Sequence, residues 1–173
     1  MLKLMCILPC LFLIFQPLNA KVEPPNYDFS LTALDDFFPQ KKLTDAEAKH
    51  GKSEAISAQN GMKTARFKVS QIRYKFSVMV QERDGVINDF FARLPTYFLH
   101  DIFLHSLVKR HGKQTTYKRV GEEAYYIWNA NGLKHVYSAA CTITCFPIFY
   151  SVEPIEATGA SVLSQMRKAH SGK

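Results

Sequence analysis

Apolar and polar positions alternate between residues 66 and 81. The even-numbered positions from 72 to 80 are all apolar, whereas positions 73, 75 and 77 are basic or polar. A period of two predicts a β-strand with one apolar face and one polar face. Phe67 and Val69 follow the opposite phase, so we expect a bulge or bend near Ser70 and Gln71.

The pattern becomes helical after the turn-like residues 82–85. From residue 86 to Pro95, apolar side chains recur at spacings of three and four, which predicts a first helix. A second helix is expected over residues 96–110, because basic residues and then Gly112 follow, as is typical of helix C-termini. Its wide apolar arc indicates that it lies in the core or covers a partner.

The last third of the chain is rich in β-forming residues. A strand is expected over residues 114–120, and residues 124–137 predict a hairpin around the Asn131-Gly132 turn. Pro147 makes residues 142–152 an edge or bulged strand. A terminal helix is expected after Pro154. The predicted fold is therefore α+β: an antiparallel sheet of four or five strands, with two central helices and a C-terminal helix packed on it.

Residues 1–20 predict a cleaved signal peptide. Lys3 precedes an apolar run over residues 4–15, and the small Ala20 stands at the expected cleavage site. A membrane anchor is the alternative, although a span needs ~20 apolar residues. We therefore expect an exported protein, periplasmic or extracellular. It is divided into residues 21–63, a polar N-terminal arm that docks by its aromatic residues, and residues 64–173, a single α+β domain.

The chain is basic, with 22 Lys+Arg against 15 Asp+Glu and a formal charge of +7. Loss of residues 1–20 removes only Lys3 and leaves +6. Such an excess favours an acidic protein or another acidic macromolecule as partner, and it also suits an anionic membrane surface. The excess of positive charge is equally explained by the general role of charged side chains in keeping a protein soluble. Nucleic acid is not expected as the partner of an exported protein.

One basic stretch is the candidate partner-binding surface, with a solvated face as the alternative. An acidic partner would be steered toward it by charge. Its members are Lys109, Arg110, Lys113, Tyr117, Lys118 and Arg119.

Cys141 and Cys145 would be the two cysteines left after export. In an oxidising compartment we expect them to form an intramolecular disulfide. Four residues of straight strand span ~13 Å and a disulfide needs Cα atoms within ~7 Å, so residues 142–144 must turn. Two buried thiols, or redox or intermolecular chemistry, are the alternatives. The spacing is not that of a Cys-x-x-Cys redox motif, and a zinc site would need further ligands. No metal or cofactor is expected.

No catalytic motif is recognisable in the sequence. His100 and His105 would project ~140° apart on one helix and could not share an ion. We therefore favour an exported, non-catalytic binding protein, such as an inhibitor, an immunity-type protector or an accessory subunit of an envelope complex. The alternative is a small exported hydrolase with a site assembled from His100, Asp101, His105 and Glu123. Convergent polar groups in a pocket would favour the enzyme, and a protruding surface would favour the binder.

Overall fold

One antiparallel sheet of eight strands forms the framework of the protein. The computed structural model describes residues 27–71, 74–95, 99–141 and 145–156. The strands are β1 (Glu54–Gln59), β2 (Met62–Gln71), β3 (Tyr74–Arg83), β4 (Val86–Arg93), β5 (Thr116–Val120), β6 (Glu123–Ala130), β7 (Leu133–Cys141) and β8 (Cys145–Pro154). Their spatial order is β1-β2-β3-β4-β8-β7-β6-β5, which places two four-stranded meanders side by side. The meanders meet where β4 pairs with β8, from Phe90–Val152 to Arg93–Phe149.

Within the described residues, three short helices pack on one face of this sheet. They are α1 (Asp28–Leu34), which continues into a 3-10 turn (Asp35–Phe37), α2 (Leu43–His50) and α3 (His100–His111). Alternate residues of the strands face these helices, as the two-residue period of a strand requires. The main core therefore lies between helices and sheet. Its largest buried members include Leu31, Leu34, Phe37, Phe67, Phe90, Phe103, Trp128, Tyr137 and Tyr150.

A second, smaller apolar cluster lies on the opposite face of the sheet. It consists of Phe91, Val136 and Phe149, which are all buried. The rings of Phe91 and Phe149 lie 5.0 Å apart across the junction of the two meanders. The sheet is thus apolar on both faces along the β4–β8 pair, which explains why this junction reads as nearly continuous hydrophobic sequence.

The α+β class is correct, but the predicted architecture is wrong. The sheet has eight strands rather than four or five, and the predicted first central helix is β4. The sequence of β4 resembles that of a helix because the strand contains a bulge opposite the end of β3. There the pairing shifts between Gln81 and Glu82 and leaves Asn88 as an extra residue. An extra residue in one strand moves each following side chain to the opposite face of the sheet from the one that strict alternation would give it.

The bulge accounts for the helix-like spacing in β4. Ile87 and Phe90, on either side of it, both belong to the main core, whereas Phe91 belongs to the opposite cluster. Apolar residues at positions 87, 90, 91 and 94 therefore imitate a helical period although the backbone is extended. Period counting cannot separate a bulged, doubly buried strand from a short helix.

Residues 66–81 form a hairpin rather than one bent strand. β2 ends at Gln71 and β3 begins at Tyr74, and these two residues pair with each other. The change of phase in the sequence therefore marks a chain reversal. The hairpin predicted from the Asn131-Gly132 turn is confirmed: β6 and β7 pair throughout, and both turn residues have positive φ.

The other predicted elements, namely the second central helix, the strand around Pro147 and the two chain ends, agree with the structure only in part or lie outside the described residues. The second predicted helix is present but begins at His100, after residues 96–98, which lie outside the described residues. β8 is a central strand rather than an edge strand. The expected irregularity is present, however, because Pro147 lies beside a shift in the pairing of β8 with β7 and beyond its pairing with β4. The expected signal peptide (residues 1–20) and the expected C-terminal helix, which would start after Pro154, also lie outside the described residues, except for residues 155 and 156.

The segment expected to be a polar arm contributes to the core. Leu31, Leu34 and Phe37 have no exposed surface, and β1 pairs with β2 along its length. Across the described parts of residues 27–156, no helix combines the length and apolar composition that a bilayer crossing requires.

Candidate functional site

The predicted basic stretch divides into two groups with different surroundings. Lys109 and Arg110, at the end of α3, pair with Asp28 and Asp35 at distances of 3.4 and 2.9 Å. Burial raises the pKa of the Asp35 carboxyl, and the Arg110 guanidinium opposes that rise. These two cations therefore fasten the first helical segment to α3, and that contact limits their availability to a partner.

The second group lies at one edge of the sheet. We call Lys113, Tyr117, Lys118 and Arg119 the basic edge; the last three belong to β5, the outermost strand, which is exposed along its whole length. Among the described residues, no ion pair involves its three cations, although Arg119 Nε donates to the Gly121 carbonyl at 3.1 Å. The basic edge thus presents positive charge beside an open strand edge.

A row of four tyrosines leads from the basic edge into the core. Tyr117, Tyr126, Tyr137 and Tyr150 are direct partners across β5, β6, β7 and β8. The rings of Tyr117 and Tyr126 are 5.1 Å apart, and those of Tyr126 and Tyr137 are 5.8 Å apart. Tyr117 is 51% exposed and Tyr150 only 1%. Burial raises the pKa of the three inner phenols, so they stay protonated at neutral pH.

His100, the first residue of α3, lies over this row. Its ring stacks on Tyr137 with the ring centres 5.6 Å apart, and its Nδ1 lies 2.9 Å from the Tyr137 hydroxyl oxygen. Burial lowers the pKa of His100, and the nearby Asp101 carboxylate opposes this only in part. The imidazole is therefore neutral at pH 7.

The predicted disulfide is confirmed and lies beside His100. Cys141 at the end of β7 and Cys145 at the start of β8 are bonded, with Cα atoms 3.9 Å apart. A ring nitrogen of His100 and both sulfur atoms all lie within 4.8 Å of one another. All three residues are half-buried. This juxtaposition was not predictable from the sequence, because His100 and Cys141 are about forty positions apart and meet only when α3 packs on the sheet.

Two imidazole rings, those of His111 and His135, lie together where the end of α3 meets the sheet; His135 is buried and His111 is half-buried. The rings of His111 and His135 are 4.3 Å apart, and His135 Nδ1 lies 2.8 Å from the Tyr150 hydroxyl oxygen. Burial, with smaller contributions from His111 and Arg110, lowers the pKa of His135 to about 4. The pKa of His111 is lowered for similar reasons, and its Nε2 is buried without a hydrogen-bond partner among the described residues.

The residues of the hydrolase hypothesis do not converge. The Asp101 side chain is 97% exposed, and His105 is also exposed. Ala124 faces the helices, so its neighbour Glu123 points to the opposite side of the sheet from His100. Glu123 there accepts a hydrogen bond from the Tyr125 hydroxyl.

Comparisons with known proteins add an overall resemblance only. No protein-family model and no curated protein sequence matches the chain. Among solved structures, it is similar to the crystal structure of a DUF4309 family protein, YjgB, from Bacillus subtilis. The two are 13% identical, with a TM-score of 0.45, and the match covers 72% of this chain and 91% of that one. A likeness of this degree assigns neither a family nor a function.

Proposed function

We propose that the protein is an exported, non-catalytic binding protein that recognises an acidic partner protein through the basic edge. The observation that carries this proposal is the surroundings of Lys113, Lys118 and Arg119. They stand on or beside a fully exposed edge strand and make no ion pair with a described residue. Lys109 and Arg110, which the sequence grouped with them, are already paired.

An edge strand offers a specific way of binding. Its outward N–H and C=O groups can pair with an extended peptide, which then adds to the sheet as a further strand. Alternation along β5 places Tyr117 and Arg119 on one face and Lys118 on the other. A peptide with acidic side chains on both faces would therefore meet a cation on each side, and Tyr117 would supply apolar contact.

Export belongs to this proposal. A disulfide is typical of oxidising compartments, and residues 1–20 have the order of a signal peptide. Periplasmic or extracellular inhibition, protection against a toxin, or membership of an envelope complex would all use such a binding edge. Glu123 and His100 lie on opposite faces of the sheet, which argues against the hydrolase alternative.

Charge reversal on β5 is expected to slow binding strongly. The probe is a fluorescent decapeptide in which pairs of Glu alternate with pairs of Val or Thr, so that it carries acidic side chains on both faces of an extended strand. Lys118→Glu together with Arg119→Glu should lower its association rate at low salt at least about tenfold, because steering charges act mainly on that rate. Stopped-flow fluorescence at increasing ionic strength measures the effect, and the difference should shrink as salt screens the charges.

Two controls separate the basic edge from net charge and from side-chain contact alone. Lys68→Glu with Lys75→Glu changes the net charge equally at exposed positions on β2 and β3, far along the sheet, and should bind almost as the unmodified protein does. A decapeptide N-methylated at alternate residues cannot extend the sheet and should bind weakly. Equal loss in both double variants, or full binding of the methylated peptide, would contradict the proposal.

A further inference from the structure

We infer that reduction of the Cys141–Cys145 disulfide creates a binding site for Zn²⁺, with His100 as the third protein ligand. We call these three residues the dithiol–histidine site. The two sulfurs and a nitrogen of His100 already lie within 4.8 Å of one another. The inference goes beyond the proposed function and does not depend on it.

The distances suit a tetrahedral ion. With Zn–S bonds of about 2.3 Å and Zn–N bonds of about 2.0 Å, ligand atoms lie roughly 3.5–3.8 Å apart. After reduction the sulfurs need only separate to that distance, and the histidine nitrogen needs to approach by no more than about an ångström. Two thiolates and one imidazole form a donor set that suits zinc, and the fourth position would be left to solvent.

His100 is held ready to act as a ligand. Its Nδ1 is occupied by the Tyr137 hydroxyl, and the ring is stacked on the Tyr137 phenol. A hydrogen bond at one ring nitrogen fixes the orientation of the imidazole, and we assign the ion to Nε2, the nitrogen that the Tyr137 hydroxyl does not occupy. Asp101 Oδ1, 3.9 Å from Nε2, adds a negative charge near that position.

Reduction of the disulfide controls whether Zn²⁺ can bind at the dithiol–histidine site. In the oxidised protein both sulfurs are used in the disulfide bond, so no thiolate is available. A dithiol reductant transfers two electrons and two protons to the bond and itself becomes a disulfide. The two resulting thiols release their protons as Zn²⁺ binds. Since His100 belongs to α3 and the cysteines to β7 and β8, the ion would join the helix to this end of the sheet.

The test uses Co²⁺ as a spectroscopic substitute and then Zn²⁺. The full chain carries Cys6→Ser and Cys10→Ser, so that the only thiols are those of the site. It is reduced with a water-soluble phosphine, which is oxidised to the phosphine oxide as water supplies the oxygen and protons. After removal of the phosphine under argon, the reduced protein should bind one Co²⁺ per chain. It should show thiolate-to-cobalt charge-transfer absorption and tetrahedral visible bands, both lost on addition of Zn²⁺. The oxidised protein should show neither band.

Variants on the same helix decide the role of His100. His100→Ala should weaken Zn²⁺ binding at least about tenfold, as measured against a chromophoric chelator. His105→Ala, an exposed position of α3, should leave the affinity unchanged. Absence of the charge-transfer band in the reduced parent, or equal affinity in His100→Ala, overturns the inference. If reduction unfolds the chain, Zn²⁺ must restore its near-UV circular dichroism in the parent and not in His100→Ala. Failure to do so also overturns it.

Discussion

Replacement of Phe37 by Ala is expected to lower the free energy of unfolding by about 3–5 kcal/mol. The ring has no exposed surface and lies 4.9 Å from the ring of Phe67 and 4.8 Å from that of His50. Truncation would leave a cavity between the 3-10 turn and β2, and the fixed sheet on one side could not collapse to fill it. This large effect is expected although Phe37 lies in the segment that the sequence suggested was a polar arm.

Urea unfolding followed by fluorescence reports this loss directly, because Trp128 is the single tryptophan and is buried. Phe37→Leu should cost less, about 1–2 kcal/mol, and it keeps the comparison measurable if the alanine variant does not fold. Leu99→Ala removes a 59% exposed side chain and should change stability by less than about 0.5 kcal/mol. If Phe37→Ala unfolds at the same urea concentration as the Leu99→Ala control, residues 27–50 are not part of the cooperative core.

Acidification from pH 7 to pH 4 is expected to cost about 3 kcal/mol of stability through His135. In the folded protein burial lowers the pKa of this imidazole to about 4, against an ordinary value near 6.5. Between these two pH values His135 therefore binds a proton in the unfolded chain but stays neutral in the folded one. The contribution of His135 is complete above about pH 6.5 and is lost as the pH falls toward 4. His111 and Arg110, which face the ring from α3, and the Tyr150 hydroxyl give no negative charge to stabilise an imidazolium.

His135→Asn separates this imidazole from the other acid-sensitive groups. The Asn amide can still reach the Tyr150 hydroxyl in place of Nδ1 but does not titrate, so the fall in stability between pH 7 and pH 4 should be about 3 kcal/mol smaller than in the parent. Asp36 and Glu47, whose pKa values are lowered by hydrogen bonds and nearby cations, contribute equally to both proteins. Parallel pH curves for His135→Asn and the parent would show that protonation of His135 is not what destabilises the acid state.

Local chemistry made part of the fold predictable. The β6–β7 hairpin was predictable because Asn131 and Gly132 tolerate the positive φ that its turn requires. β4 was not, because pairing with β3 decides where the bulge at Asn88 falls, and that pairing is not written in the local pattern. The pairing of β2 with β3 was hidden in the same way, since alternation occurs in both strands and the change of phase between them also fits a bend.

The candidate sites were predictable only where their residues are close together in the sequence. The sequence identified the basic stretch because its members are close in the chain. It could not show that Lys109 and Arg110 are neutralised by Asp28 and Asp35, which lie in α1 and the following 3-10 turn, about eighty positions earlier. The approach of His100 to Cys141 and Cys145 depends likewise on how α3 packs over the sheet.

The sheet order also bears on how the two halves of the chain are joined. Each half consists of helical structure followed by a four-stranded meander, and β4 meets β8 in the antiparallel manner of two identical edges in a two-fold dimer. A covalent link makes such an association intramolecular, so its strength no longer depends on protein concentration. It also frees the two outer edges to diverge. β1 carries neither Lys nor Arg, whereas β5 carries both, so one chain presents two unlike ends to its surroundings.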